Sequence, residues 1–105
     1  MTSSDRGVYG ISVAAEMVSM QVQNLRVYER RGLLEPDRTP GGTRLYSQDD
    51  VDRLHRIRDL LGEGLNLAGV GKVLELEAEV ERLQALEAEV AELRARLSGR
   101  GGRGS

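Results

Sequence analysis

The chain has 105 residues, 15 Lys and Arg against 17 Asp and Glu, a formal net charge of -2, no cysteine and a single histidine, His55. Without cysteine there is no disulfide, thiolate metal site or cysteine nucleophile, and one histidine cannot build an imidazole cage, so neither a metal nor another cofactor is expected. This length allows one small domain plus an appendage, and a core of that size buries too little surface to stand easily alone, so stabilisation by a partner chain is expected.

No apolar run approaches the roughly 18 residues of a membrane span, and the opening MTSSDRG lacks the apolar stretch of a signal peptide. A soluble, cytoplasmic protein is expected. Mild overall acidity would argue against a nucleic-acid partner only if charge were evenly spread. It is not: residues 21–47 hold five arginines (Arg26, Arg30, Arg31, Arg38, Arg44) against three acids (Glu29, Glu35, Asp37). Residues 72–98 hold seven acids (Glu75, Glu77, Glu79, Glu81, Glu87, Glu89, Glu92) against four bases (Lys72, Arg82, Arg94, Arg96).

Residues 1–9 are expected to be flexible. Ser12 suits an N-cap, and Val13, Ala14, Met17 and Val18 fall on one side of a helix running to about Met20. A second helix starts at Gln21 and Val22, with Leu25 and Tyr28 facing inward and Gln23, Asn24, Arg26 and Arg30 able to face out. Two short helices so tightly joined predict a helix-turn-helix. Gly32 suits the left-handed position that closes the second helix. Leu33 and Leu34, then the turn-rich stretch 36–42, then Thr43 to Tyr46 predict a small β-hairpin, stable only when packed on the helices.

Ser47 and Asp50 have the spacing of a capping box, and Val51, Leu54, Ile57, Leu60 and Leu61 supply the apolar stripe of a third helix ended by Gly62 and Gly64. Asn66 can cap a fourth, with Leu65 and Val70 placed as a hydrophobic staple and Gly69 and Gly71 weakening it. From Val73 to Leu97 runs a strongly helical segment with an internal repeat, LEAEVERL at 76–83 and LEAEVAEL at 86–93. Its apolar residues Leu76, Val80, Leu83, Leu86, Val90, Leu93 and Leu97 form a coiled-coil seam with one short step from Leu83 to Leu86, a stammer that overwinds the helix locally. Such a stripe needs a partner, and a second copy is the simplest. Glutamates crowd the early half and Arg94, Arg96, Arg100 and Arg103 the end, so an antiparallel pair sets acid beside base where a parallel pair sets acid beside acid. Compensation of the helix macrodipole favours the same polarity within one helix. The tail 98–105, SGRGGRGS, is expected to be disordered.

A basic helix followed by a basic hairpin offers phosphate two points of contact. The stretch LRVYERRGLLEPDRTPGGTRLYSQDDVDRL resembles the N-terminal winged helix-turn-helix of the MerR family of transcription regulators, whose elements Arg-x-Tyr-Glu, Gly-Leu-Leu, Pro-x-Arg and Arg-x-Tyr occur here in order and at the right spacing. Within the family, ISVAAEM, RTPGGTRLYS and EGLNLAGVGKVLELE are similar to the heat-shock repressor branch. The resemblance implies a mainly α fold: a winged helix-turn-helix over residues 10–72, with a small β-hairpin as the wing, then a long dimerisation helix over 73–97 forming an antiparallel coiled coil. It places Arg26 and Tyr28 on the family's recognition-helix positions, Arg44 and Tyr46 on the wing, and Gln23 and Asn24 where side chains face the major groove. The branch usually has Gly where Ser19 stands and Thr where Asn24 stands. Asn contacts adenine bidentately and Thr does not, so the departure leaves the operator sequence open. The hydroxyls of Tyr28 and Tyr46 are candidates for phosphate contact, while a core without Phe or Trp needs their rings for packing, and both roles stay open.

The expected function is a DNA-binding transcription regulator, not an enzyme: a homodimeric repressor of chaperone or stress genes on an inverted-repeat operator. The DNA-binding residues are Gln23, Asn24, Arg26, Tyr28, Arg30, Arg44 and Tyr46. No small-molecule effector is expected, since only a coiled coil follows the DNA-binding module, and the resemblance suggests an Hsp70-type chaperone as partner. The rival is a protein-interaction module of the same fold acting on a chaperone or co-chaperone, for which the outward arginines would have no use.

Overall fold

A computed structural model describes residues 4–103. The chain divides into two compact units, Met1–Leu67 and Ala68–Ser105. In the first, α1 spans Ile11–Met17, α2 Val22–Arg30 and α3 Gln48–Gly62, with strands β1 at Asp37–Arg38 and β2 at Arg44–Leu45. The long helix α4, Leu67–Arg103, makes up the second.

The core of the first unit is built from Ala14, Ala15 and Val18, from Leu25 and Tyr28 of α2, from Leu33, Leu34 and Tyr46, and from Val51, Leu54, Ile57 and Leu60 of α3. α2 and α3 follow the sequence pattern closely. Ser47 Oγ accepts from the Asp50 amide while Asp50 Oδ2 accepts from the Ser47 amide, closing the capping box. Gly32 takes φ +77 after the α2 C-cap Arg31, as its place in the chain requires.

Elsewhere the structure corrects the expectation. α1 is capped by Gly10, without a side-chain hydrogen bond, and Ser12 lies inside the helix. Its buried face is Ala14, Ala15 and Val18, whereas Val13 and Met17 are exposed. Leu33 and Leu34 are buried without joining a strand, and the hairpin pairs Asp37 with Leu45 and Arg38 with Arg44. The N-terminal stretch expected to be flexible is tied down over its described part: Ser4 O accepts from the Asp49 amide, and Tyr9 and Tyr46 form an antiparallel bridge with N···O distances of 2.9 and 2.7 Å. Gly7 donates to Asp37 Oδ2 at 2.9 Å and comes so close that a Cβ there would lie 2.5 Å from the Leu45 carbonyl oxygen, which only glycine permits.

The separate fourth helix and coiled-coil helix are instead one element, α4, running 37 residues through Gly69 and Gly71. A helix that long extends about 55 Å. It continues through the expected disordered tail as far as Arg103; residues 1–3 and 104–105 lie outside the described residues. No helix among the described residues is long and apolar enough to cross a membrane.

Candidate nucleic-acid interface

Burial of Leu25 and Tyr28, at 0 and 5% exposure, fixes which side of α2 faces solvent. Gln23, Asn24, Arg26 and Arg30 are all exposed, and so is Arg31 at the C-cap. Gln23, Arg26 and Arg30 fall three and four residues apart, one above another on the helix, so two guanidiniums and an amide form a single stripe. An α-helix of this width enters a DNA major groove, where such groups reach base edges and phosphates.

The wing is joined to this helix by Glu29. Its Oε1 accepts from Arg38 Nη2 at 2.6 Å and its Oε2 from Arg44 Nε, while Arg38 Nη1 also donates to the Gly42 carbonyl at 3.1 Å. The Glu29 side chain is 15% exposed, against 49% for Arg38 and 31% for Arg44. One carboxylate therefore holds both strands of the hairpin against the C-terminal end of α2. Neither wing arginine offers a whole unpaired charge, in contrast to the open positive patch that the sequence suggests.

The two tyrosines sit inside. Tyr28 is almost wholly covered, and burial pushes its hydroxyl pKa up. Tyr46 has 0% exposure and a hydroxyl that is buried without a hydrogen-bond partner. Burial is the main cause that raises its pKa, with the carboxylates of Glu29 and Asp50 adding to the rise and Arg44 and Arg26 opposing it. The packing role is thus the one the structure displays for both, and the Tyr46 hydroxyl is not presented to a phosphate.

Three residues escaped the sequence reasoning as site builders. Glu29 counted only as an acid diluting the arginines, although its place at the end of α2, next to the hairpin, is where a carboxylate can meet both strands. Arg53 Nε donates to the Leu33 carbonyl at 2.5 Å and Arg58 Nη1 to the Val18 carbonyl at 2.8 Å, so α3 satisfies the carbonyls that follow α2 and α1. Nothing in their spacing separates them from an ordinary solvated face. His55 lies beside Arg58, with Nδ1 3.2 Å from Nη2.

On α4, Val70 and Leu74 are buried, but Leu76, Val80, Leu83, Leu86, Val90, Leu93 and Leu97 stand 44 to 66% exposed. These are the seam residues expected from the repeat. Seven large apolar side chains along one helix form a contiguous patch of the kind that marks an interaction surface.

Residues 9–77 match the family model described as MerR HTH family regulatory protein. The chain is 47% identical over 90 residues to a heat shock protein named HspR of Streptomyces coelicolor, covering 85% of this chain and 60% of that one. It is 40% identical over 67 residues to the HTH-type transcriptional regulator GlnR of Bacillus cereus, covering 64% of this chain and 52% of the relative. The chain thus spans little more than half the length of these curated relatives. Among solved structures, the regulator PbrR691 of Ralstonia metallidurans in complex with lead(II) superposes with a TM-score of 0.66 at 29% identity, over 87% of this chain and 76% of that one. The N-terminal part of MtaN, a multidrug transporter activator of Bacillus subtilis, superposes with a TM-score of 0.61 at 25% identity, over 87 and 95%.

Proposed function

The chain belongs to the MerR family of DNA-binding transcription regulators, and from that premise we propose that it acts in the cytoplasm as a homodimeric repressor of chaperone or stress genes on an inverted-repeat operator. The exposed stripe of Gln23, Arg26 and Arg30 on α2, with Asn24 beside it, carries this reading. Two such helices related by a dimer axis enter successive major grooves, with base edges read by Gln23 and Asn24 and phosphates neutralised by Arg26 and Arg30. The wing adds backbone contacts through those Arg38 and Arg44 N–H groups that Glu29 leaves unused. The seam on α4 joins the two copies.

The link to heat shock rests on the 47% identity to HspR. It makes an Hsp70-type chaperone or temperature itself the regulating input in place of a small molecule. The test is selection of bound duplexes from a random pool, followed by titration of the selected operator. Arg26→Ala is expected to weaken binding by about 1–3 kcal/mol with helicity unchanged. Wild-type affinity in that variant would remove α2 from the interface. Titrations with and without the chaperone, and with a panel of metals and metabolites, test the input. A metal or metabolite that shifts affinity tenfold while chaperone and heat do nothing refutes it.

A further inference from the structure

The exposed seam of α4 has an internal symmetry that fixes where a second copy sits. We infer that two α4 helices pair antiparallel with the two-fold axis passing between Leu86 and Glu87, a register that rests on the dimer proposed above. Around that axis each seam residue finds an apolar counterpart: Leu76 faces Leu97 of the second copy, Val80 faces Leu93, Leu83 faces Val90, and Leu86 meets its own equivalent. All seven exposed apolar residues are used, and none is left over.

The short step from Leu83 to Leu86 makes this specific. It divides the seam into two heptad stretches, one with Val80 at a and Leu76 and Leu83 at d, the other with Val90 and Leu97 at a and Leu86 and Leu93 at d. In the inferred register each a residue beyond the centre meets a d residue of the second copy. Charge then separates it from the rival that centres on Leu83. With the axis between Leu86 and Glu87, the residues flanking the seam put Glu77 beside Arg94 and Glu79 beside Arg96 of the second copy. With the axis on Leu83, the flanks put Glu79 beside Glu89, Glu77 beside Glu87 and Lys72 beside Arg96, three like-charge encounters, and Leu97 falls opposite Gly69. Within one helix Glu79 pairs with Arg82 and Arg96 with Glu92, both pairs well exposed to water, so nothing buried has to break when the helices meet. The helix also carries an open groove of about 480 Å³ lined by Leu83, Leu86, Glu87, Val90, Ala91 and Arg94, a stretch that spans the inferred axis.

Register has a consequence for DNA. Moving the axis from Leu86/Glu87 to Leu83 brings the two α4 N-termini about 10 Å closer together. That equals about 3 base pairs of operator.

The absence of cysteine makes the test direct, because a single introduced cysteine can pair only with its counterpart in the second copy. Under mild oxidation of the full-length chain, Leu86→Cys is expected to yield a disulfide-linked dimer, and Leu83→Cys and Leu97→Cys alone are not. Mixing Leu76→Cys with Leu97→Cys is expected to give the crosslinked heterodimer. Glu79→Arg should weaken dimerisation roughly tenfold, and adding Arg96→Glu should restore it to within about twofold. Crosslinking at Leu83 and not at Leu86, or at every seam position as a parallel pair would give, overturns the register while leaving the dimer intact. A monomer in sedimentation of the unmodified chain overturns both.

Discussion

Ser19 stands in the turn between α1 and α2 with φ +54, the one non-glycine residue with positive φ among the described residues. Its amide donates to the Glu16 carbonyl at 3.1 Å and the Met20 amide to the Ala15 carbonyl at 2.9 Å, which together hold the turn. For an L-residue this conformation costs about 1–2 kcal/mol, because Cβ crowds the carbonyl oxygen. Glycine removes that cost but has more freedom to lose on folding, about 0.5–1 kcal/mol. Ser19→Gly should therefore stabilise by about 0.5–1 kcal/mol. In a unit as small as Met1–Leu67 this corresponds to a rise in Tm of about 2–8 °C.

A second substitution makes the reasoning refutable. Ser19→Val keeps a side chain and adds β-branching in a region where branched residues are true outliers, so it should lower Tm. Both are measured by thermal melts at one protein concentration, because the proposed dimerisation would make Tm depend on concentration. The side chain is exposed, so operator affinity at a temperature where all forms are folded should stay within about twofold of wild type. If glycine lowers Tm, or valine is tolerated as well as serine, strain at this turn is not what sets the preference. The same strain gives a physical reason for the glycine that the heat-shock branch usually places here.

Tyr46→Phe removes a buried hydroxyl without a partner and should leave stability unchanged or raise it by about 1 kcal/mol, since an unsatisfied buried group carries a desolvation penalty. Operator affinity should not change, and a loss above tenfold would show that the hydroxyl reaches phosphate in the complex. Because burial raises the pKa values of Tyr28 and Tyr46, their contribution to stability is fully present below the unfolded value near 10 and is lost as pH rises through the folded values. Denaturant melts should thus show stability falling above about pH 10, less steeply in Tyr46→Phe; a pH-independent stability there would contradict it. Glu29→Gln frees Arg38 and Arg44 from a shared carboxylate, and should cost about 1 kcal/mol in urea unfolding while raising affinity for non-operator DNA. Unchanged discrimination between operator and scrambled duplex would refute the role given to the clamp.

What the sequence displayed well were features with strong local causes. Leu25 and Tyr28 are large and spaced for one helical face, Gly32 closes a helix with a positive φ, and Ser47 with Asp50 completes a cap that involves no distant residue. Long-range partners were invisible. The start of α1 is set by the Tyr9–Tyr46 bridge, which makes Gly10 the cap in place of Ser12. Its buried face relies on Ala14 and Ala15, whose small side chains let helices approach but give a weak apolar signal beside Val13 and Met17. Glu29 shows the same limit at the candidate site. The acid lies 9 and 15 residues from its two arginines, and only the folded hairpin brings them together. Gly69 and Gly71 weaken the start of α4 without interrupting it, since a long helix tolerates glycine where the rest of its sequence is strongly helical.

The clamp also bears on how a chain of net charge -2 would bind a polyanion under the proposed function. Of the five arginines in residues 21–47, Glu29 engages Arg38 and Arg44, which leaves Arg26, Arg30 and Arg31 as the exposed cations of α2 outside the clamp. One carboxylate cancels only one of the two wing charges, so the proposed dimer would present about eight positive charges to phosphate where the bare sequence suggests ten. With each neutralised phosphate contributing about 0.9 to the slope of log affinity against log salt, the expected slope is about -7, against about -9 if the wing arginines were fully engaged. Titration of the operator from low to high salt measures it directly. A wild-type slope near -9, unchanged in Glu29→Gln, would mean that the clamp opens on DNA; a slope near -7 that steepens in the variant would mean that the clamp persists and rations the charge offered to the backbone.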